Sequence, residues 1–155
     1  AWINNKKFSP FIVALIPVVL VGSYFSLPQL GADHYIETAE SSPMPAIDFV
    51  FKNYQGKHVL NDWDYGGRMI YASNGKFPVF IDGRSGTNYD EKILSDYIEF
   101  IEMKDGWEKT YEPYNIGVIL VSNKRNFVKN YEKGMYRDSW QQVYHDDVAT
   151  VYTRK

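Results

Sequence analysis

The sequence contains no cysteine, only three histidines, and no marked excess of either charge. Without cysteine there is no disulfide framework, thiolate nucleophile, zinc knuckle or iron–sulfur ligand set. The histidines, His34, His58 and His145, are too scattered for a zinc motif. A formal net charge of -2 gives no electrostatic basis for binding nucleic acid. We therefore expect no metal, no cofactor and no nucleic-acid partner.

The sequence also lacks the common catalytic loops. The stretch Gly83-Arg84-Ser85-Gly86 is not a phosphate loop, because no Gly-Lys-Ser/Thr ending follows it. It is not a Gly-x-Ser-x-Gly nucleophile elbow either, because Gly86 follows Ser85 directly and Thr87 stands where the second glycine belongs. The chain has no self-sufficient catalytic set, and the sequence leaves open whether it takes part in catalysis.

A long apolar stretch is present near the start of the sequence. From Phe8 to Ala32 no side chain is charged. A helix of this length would extend about 37 Å, against roughly 30 Å of bilayer hydrocarbon. Lys6 and Lys7 precede the stretch, and Asp33 follows it. This pattern predicts a membrane helix whose N-terminal flank is cytoplasmic, with the remainder of the chain on the extracytoplasmic side.

Two other interpretations of this stretch stay open. One is a secretory signal peptide, cleaved after Leu30-Gly31-Ala32. The other is a buried soluble strand and hairpin, with Pro17 at the break. With the membrane helix as the leading interpretation, residues 1–32 form that helix and its flank, 33–45 form a polar connector, and 46–155 form one extracytoplasmic domain. The chain would then lie at the cell membrane.

Residues 46–155 alternate between apolar runs and amphipathic segments. The runs predict strands over 58–61, 77–82 and 116–121, and a terminal hairpin of 140–144 with 148–152. Helices are expected over 45–54, 63–73, 126–133 and from Asn88 or Asp90 to Lys104. Strands separated by helices indicate a small three-layer α/β domain with a mainly parallel sheet, to which the hairpin adds an antiparallel edge.

Polar clusters follow three of these strands, at 61–68, 82–87 and 122–125. Ligands of such sheets bind beyond the carboxyl ends of the strands. The sequence therefore predicts a site for a polar ligand or an acceptor. Its carboxylates would accept hydroxyl hydrogens, its arginine would hold an anion, and its aromatic rings would stack. The candidate residues are Asp62, Trp63, Asp64, Tyr65 and Arg84.

Purely structural roles are open for the same residues. Asp62 suits the N-cap of the following helix, and Asp82 with Gly83 suits a turn. Arg84 could neutralise Asp62 or Asp64. Two carboxylates two residues apart could also serve acid–base chemistry or a divalent cation.

The segments 61–70, 79–84 and 140–152, together with Trp107, resemble the extracytoplasmic C-terminal domain of bacterial GT-C-type membrane glycosyltransferases. In that group a final membrane helix leads into a small α/β domain. Asp62–Gly66 is also similar to the Trp-Trp-Asp-Tyr-Gly motif of the catalytic oligosaccharyltransferase subunit, which reads a Ser or Thr hydroxyl of the acceptor peptide. Trp63 and Asp64 match this motif, whereas Asp62 stands where the first tryptophan belongs.

The resemblance implies a non-catalytic domain that positions an acceptor or partner for transfer from a lipid-linked sugar. Its implied partners are the membrane, the rest of a parent membrane protein, and a polyprenyl-phosphate sugar or glycan acceptor. The catalytic carboxylates of such parents lie near the start of the membrane region. Two alternatives are an anchored or secreted envelope module that binds a glycan or protein, and a small enzyme using Asp62, Asp64 and Arg84.

Overall fold

A computed structural model describes residues 41–84 and 88–155. The predicted membrane helix over 1–32 and most of the connector over 33–45 lie outside these residues. Within the described ranges, no helix combines the length and apolar character needed to cross a bilayer. The described residues belong to one compact unit.

Five α-helices and four strands make up this unit in the two described ranges. The helices are α1 (Met44–Asn53), α2 (Trp63–Ala72), α3 (Glu91–Glu102), α4 (Trp107–Tyr111) and α5 (Asn126–Glu132), with a 3-10 turn at Glu112–Tyr114. The strands are β1 (His58–Asn61), β2 (Ile116–Ser122), β3 (Trp140–His145) and β4 (Ala149–Arg154).

The four strands form one mixed sheet in the order β1-β2-β4-β3. Only β1 and β2 pair in parallel, whereas β2 with β4 and β4 with β3 pair antiparallel. The predicted C-terminal hairpin is confirmed as β3 and β4. The prediction of a mainly parallel sheet is wrong, because the hairpin supplies half of the strands and inserts β4 directly beside β2.

The segment 77–82, predicted as a strand, belongs to no strand in the structure. Pro78 has no amide hydrogen to give to a ladder. The side chain of Asn61 holds this segment instead: its Oδ1 accepts from the Phe80 amide at 2.8 Å, and its Nδ2 donates to the Ile81 carbonyl at 2.8 Å. The buried side chain of Asn61 therefore holds this segment along the outer edge of β1.

Helices cover both faces of the sheet, which gives the three expected layers. On one face α1 and α2 bury a mainly aliphatic core: Ala46, Ile47, Val50, Val59, Tyr65, Met69, Val118, Leu120, Ala149 and Val151. On the other face α3, α4 and α5 bury a core rich in aromatic rings: Leu60, Ile81, Tyr97, Phe100, Trp107, Tyr111, Ile116, Ile119, Val121, Phe127, Val128, Trp140 and Tyr152. Because β2 is covered on both faces, its sequence is apolar almost throughout.

Candidate functional site

The predicted site lies where β1 passes into α2. The Asp62 amide donates to the Leu120 carbonyl at 2.8 Å, which extends the parallel pairing by one residue beyond β1. The side-chain Nδ2 of Asn61 donates to the Asp62 carbonyl at 2.8 Å. Both residues are fully buried. The backbone that carries the site is therefore fixed to the centre of the sheet.

The carboxylate of Asp62 is bound by Arg125, which lies just after the neighbouring strand β2. Arg125 donates through Nε to one Asp62 oxygen at 2.6 Å and through Nη2 to the other at 2.5 Å. The Ser122 amide donates to the same carboxylate at 3.3 Å. Hydrogen bonding to Asp62 raises the pKa of Arg125. This two-pronged contact makes an ion pair whose carboxylate is shielded from water.

This geometry corrects two of the roles considered for Asp62. It occupies the N-cap position of α2, but its side chain makes no capping hydrogen bond. Its partner is Arg125, whereas Arg84 pairs with Asp82. The physical reason is burial: a carboxylate out of contact with water needs a full cationic partner, and a single helix amide would not satisfy it.

Trp63 is the first residue of α2, and it contacts α3. Its amide donates to the Tyr97 hydroxyl at 2.8 Å, and the two ring centroids are 6.1 Å apart. Burial raises the pKa of Tyr97, so this hydroxyl is protonated at neutral pH. Trp63 as a residue is half-buried. Tyr97 thus satisfies one of the free amides at the helix start and holds Trp63 in place.

Asp64 is the exposed carboxylate of the group. Its side chain is 79% exposed, and Arg125 Nη2 lies 3.9 Å from Oδ2. It sits in the first turn of α2, where the helix dipole favours negative charge. Asp64 can therefore accept hydrogen bonds from a ligand while a guanidinium lies beside it.

Tyr65, the fourth predicted residue, points into the aliphatic core. The residue is 6% exposed, and its hydroxyl donates to the Val148 carbonyl at 3.4 Å. Burial raises its pKa to about 12. In this position Tyr65 anchors α2 to the turn between β3 and β4, and its ring is withdrawn from the surface.

Arg84, the fifth predicted residue, forms a separate group with Asp82. Its Nη2 lies 2.6 Å from Asp82 Oδ2, and its amide also donates to Asp82 at 2.8 Å. The Tyr89 hydroxyl donates to the same carboxylate at 3.0 Å. Hydrogen bonding from Arg84 lowers the pKa of Asp82 to about 2. Arg84 remains largely exposed, with 61% of its side chain accessible.

Gly66 brings the Asp82 segment against α2. A Cβ at this glycine would lie 2.0 Å from the Ile81 carbonyl oxygen and 2.8 Å from the Asp82 Cβ. Any side chain here would force α2 and the segment apart. At the next position the helix is open, since a Cβ on Gly67 would meet nothing within 4 Å.

Two residues of this region were missed from the sequence. In the sequence, Arg125 is only part of the polar cluster 122–125, although an aspartate at the end of a neighbouring parallel strand is a signal for such a cation. Asn61 is predicted as the last residue of a strand. A fully buried amide in an otherwise apolar run indicates bonds to backbone that has no ladder of its own.

The site shows no metal-binding geometry in the described ranges. Within 41–84 and 88–155, no three His, Asp or Glu side chains come together as metal ligands would. Asp62 and Asp64 are adjacent to one guanidinium, Arg125. The arrangement of these three residues favours hydrogen bonding to a polar ligand.

No known protein family and no curated protein matches the sequence. Among solved structures, the fold is similar to the C-terminal globular domain of an oligosaccharyltransferase from Archaeoglobus fulgidus. The TM-score is 0.53 at 14% sequence identity, and the similarity covers 72% of this chain and 95% of that chain. At this identity the likeness concerns the fold. The expected distant similarity to such a domain is confirmed at that level, while a bacterial GT-C-type parent stays a prediction.

Proposed function

We propose that this chain contains the non-catalytic C-terminal domain of a membrane glycosyltransferase-like protein and that the domain positions an acceptor or partner. The observation that carries the proposal is the fold likeness, which spans 95% of the archaeal oligosaccharyltransferase domain. The start of α2 adds support, because it presents Asp64 to solvent beside Arg125 and the half-buried Trp63. A hydroxyl-bearing acceptor is the simplest ligand for such a surface.

The state of the other carboxylates supports a non-catalytic role. Asp62 is buried and bound on both oxygens by Arg125. Asp82 has a pKa of about 2, so it is ionised at neutral pH and cannot act as a general acid. In the proposal, the reacting groups and a polyprenyl-phosphate sugar donor belong to other parts of a GT-C-type parent.

The proposal includes the position of the domain in the cell. The uncharged stretch Phe8–Ala32, preceded by Lys6 and Lys7, would be the membrane helix that leads into the domain. The domain would then lie at the extracytoplasmic side of the cell membrane, where it would meet the rest of the parent.

The test is a transfer assay on membranes that contain the complete parent protein, with a polyprenyl-phosphate sugar as donor. Asp64→Asn and Trp63→Ala should each lower the transfer rate about tenfold, the usual effect of losing one charge-assisted or stacking contact. Asp138→Asn serves as the matched control, because Asp138 is exposed and precedes β3. Its transfer rate should equal that of the wild type.

Two results would contradict the proposal. One is an unchanged transfer rate in both the Asp64 and the Trp63 variant. The other is a complete gene product without further apolar membrane helices, which would favour the anchored or secreted envelope module instead. In that case the isolated chain should bind a glycan or an envelope protein by itself.

A further inference from the structure

We propose that the hydroxyl of Tyr131 caps the outer edge of the sheet and keeps the domain from pairing with a second copy of the chain along β3. In the described part of the chain, the strand order β1-β2-β4-β3 makes β3 an edge strand that pairs with β4 alone. The unpaired backbone groups of such a strand are a ready template for a further strand. This inference concerns the association of the domain, so it is independent of the proposed function.

The first step is to identify the backbone groups of β3 that face away from β4. The Lys155 amide donates to the Ser139 carbonyl at 3.0 Å, so Ser139 faces the β4 side. In an antiparallel pair, residues that face the partner strand alternate with residues that face away from it. Trp140 and Gln142 therefore turn their backbone groups outward. The Trp140 amide agrees with this assignment, because it donates to the Tyr136 carbonyl at 2.8 Å, outside the sheet.

The second step is the contact that the Tyr131 side chain makes with two of these outward groups. Its hydroxyl donates to the Trp140 carbonyl at 3.4 Å and accepts from the Gln142 amide at 3.2 Å. One hydroxyl can do both, because it carries one hydrogen and two lone pairs. The Tyr131 ring packs against the ring of Tyr152 on β4, with the centroids 4.7 Å apart. A single side chain from α5 thus occupies the place that a further strand would take.

The third step is the length of edge that needs protection. The pairing of β3 with β4 shifts register between Gln142 and Tyr144, which marks a β-bulge. A bulge bends the strand and disrupts the regular spacing that a further strand requires. The regular part of the edge therefore ends at Gln142. Within it, the Tyr136 carbonyl holds the Trp140 amide, while the Tyr131 hydroxyl holds the Trp140 carbonyl and the Gln142 amide.

The fourth step is the partner that this cap excludes. Two copies related by a twofold axis at Gln141 would place their β3 edges antiparallel, with Trp140 of one copy opposite Gln142 of the other. The Gln142 amide of each copy would then donate to the Trp140 carbonyl of the other. These are the two groups that the Tyr131 hydroxyl holds within one copy. The uncapped edge is thus self-complementary, as a twofold interface requires, and a second copy is the strand partner that fits it.

The experiment uses the complete 155-residue chain, kept in detergent because of the uncharged stretch Phe8–Ala32. The chain has no cysteine, so Gln141→Cys introduces a single thiol at an exposed position in the middle of the edge. In the twofold pair the two copies of this position face each other with Cα atoms about 4.5 Å apart, which is within reach of a disulfide. The yield of disulfide-linked dimer, with oxidised glutathione as oxidant, therefore measures pairing along this edge.

The test variants are Tyr131→Phe and Tyr131→Ala, each combined with Gln141→Cys. Phenylalanine removes only the hydroxyl, whereas alanine also removes the ring that covers the edge. We expect Tyr131→Phe to give about tenfold more linked dimer than Gln141→Cys alone, and Tyr131→Ala at least as much. Tyr136→Phe is the matched control, because it removes a hydroxyl that contacts neither capped group and keeps the ring stacked on Phe127 at 5.4 Å. Its dimer yield should equal that of Gln141→Cys alone.

Hydrogen exchange of the Gln142 amide is the second measurement. In Tyr131→Phe this amide should exchange about tenfold faster at a protein concentration too low for pairing. The Lys155 amide, which donates to Ser139, should exchange at the wild-type rate. Faster exchange without more linked dimer would overturn the proposal, and so would an equally high dimer yield in Gln141→Cys alone. If Tyr131→Ala folds poorly, Tyr131→Phe still decides the question, because it keeps the ring.

Discussion

Two aspartate–arginine pairs near the start of α2 look alike but connect the chain very differently. Asp62 and Arg125 are 63 residues apart, and their pair joins the β1–α2 junction to the end of β2. Asp82 and Arg84 are two residues apart within one turn. Both carboxylates are buried, but the Arg125 side chain is 30% exposed and that of Arg84 is 61% exposed.

The difference shows what an ion pair contributes in each setting. A pair that joins distant segments exists only in the folded chain, so its loss is felt as a loss of tertiary structure. A pair across a two-residue turn can persist when the neighbouring structure opens, and water screens its exposed arginine. We therefore expect the Asp62 group to control stability and the Asp82 group to control the response to acid. Four predictions test this comparison, in order of decreasing effect.

The largest loss of stability is expected from forcing α2 away from the segment that carries Asp82. Gly66→Ala places a Cβ 2.0 Å from the Ile81 carbonyl oxygen, which is backbone and cannot rotate away. We expect a loss of roughly 3 kcal/mol or more in the free energy of unfolding, measured by urea denaturation. Gly67→Ala is the matched control in the same helix. It should stabilise the domain by about 0.5–1 kcal/mol, because alanine favours the helix and meets no neighbour. Equal effects of the two substitutions would disprove this contact.

The second prediction removes each carboxylate in turn. Asp62→Ala leaves Arg125 without its two-pronged partner and should cost about 3 kcal/mol in the free energy of unfolding. Asp82→Ala removes a local pair whose arginine is largely exposed, and it should cost about 1 kcal/mol. Urea denaturation of both variants at neutral pH measures the difference. If Asp82→Ala is the more costly change, the distinction between a tertiary pair and a local pair is wrong.

The third prediction concerns acid. The folded-state pKa of Asp82, about 2, lies below the ordinary value of 3.8. The stabilisation from this shift is therefore complete above about pH 4 and is lost as the pH falls towards 2. It should amount to on the order of 1–2 kcal/mol, because the partner Arg84 is exposed and screened. Urea denaturation across this range should show the loss in the wild type and a smaller one in Asp82→Asn. Identical acid profiles would rule out the Asp82 group as the source.

The apolar pattern of the sequence was sufficient for most of the elements but not for the sheet. The runs at 58–61 and 116–121 became adjacent strands, and the alternating residues at the end became the hairpin. Such patterns report which side chains are buried, because burial follows the spacing of apolar residues along the chain. Pairing depends on which strands lie beside each other. The run at 77–82 is apolar because both cores contact it, yet Pro78 and Asn61 keep it out of the ladder.

The structure brings Asp62 and Asp64 together at the β1–α2 junction, but the arginine beside them is not the one that the sequence suggests. One role open to Arg84 from the sequence is to neutralise Asp62 or Asp64, whereas in the structure both carboxylates lie beside Arg125. A sequence shows which charges exist, whereas the pairing follows from the order of the strands. β1 and β2 are parallel neighbours, so the chain after β2 meets the chain after β1. Tyr65 differs, because its burial could be predicted: it lies four residues before Met69, and helical periodicity puts both on the buried side of α2.

The smallest expected effects come from two tyrosines that each serve one group. The Tyr97 hydroxyl accepts from the Trp63 amide at 2.8 Å, and the Tyr89 hydroxyl donates to Asp82 at 3.0 Å. Tyr97→Phe leaves a helix amide unsatisfied and should cost about 1 kcal/mol at neutral pH. Tyr89→Phe should cost about 0.5 kcal/mol, since Arg84 still holds Asp82.

The two tyrosine variants should differ more in how much stability they lose in acid than in their stability at neutral pH. The hydrogen bond from Tyr89 lowers the pKa of Asp82, so Tyr89→Phe should raise that pKa. A folded-state pKa closer to 3.8 reduces the stability that acid can remove, so this variant should lose less between about pH 4 and pH 2. Tyr97→Phe should keep the wild-type acid profile, because Tyr97 contacts Trp63 and not Asp82. A shift of the Asp82 carboxyl resonance in both variants would mean that the two groups titrate as one, and the contrast between them would then hold for stability alone.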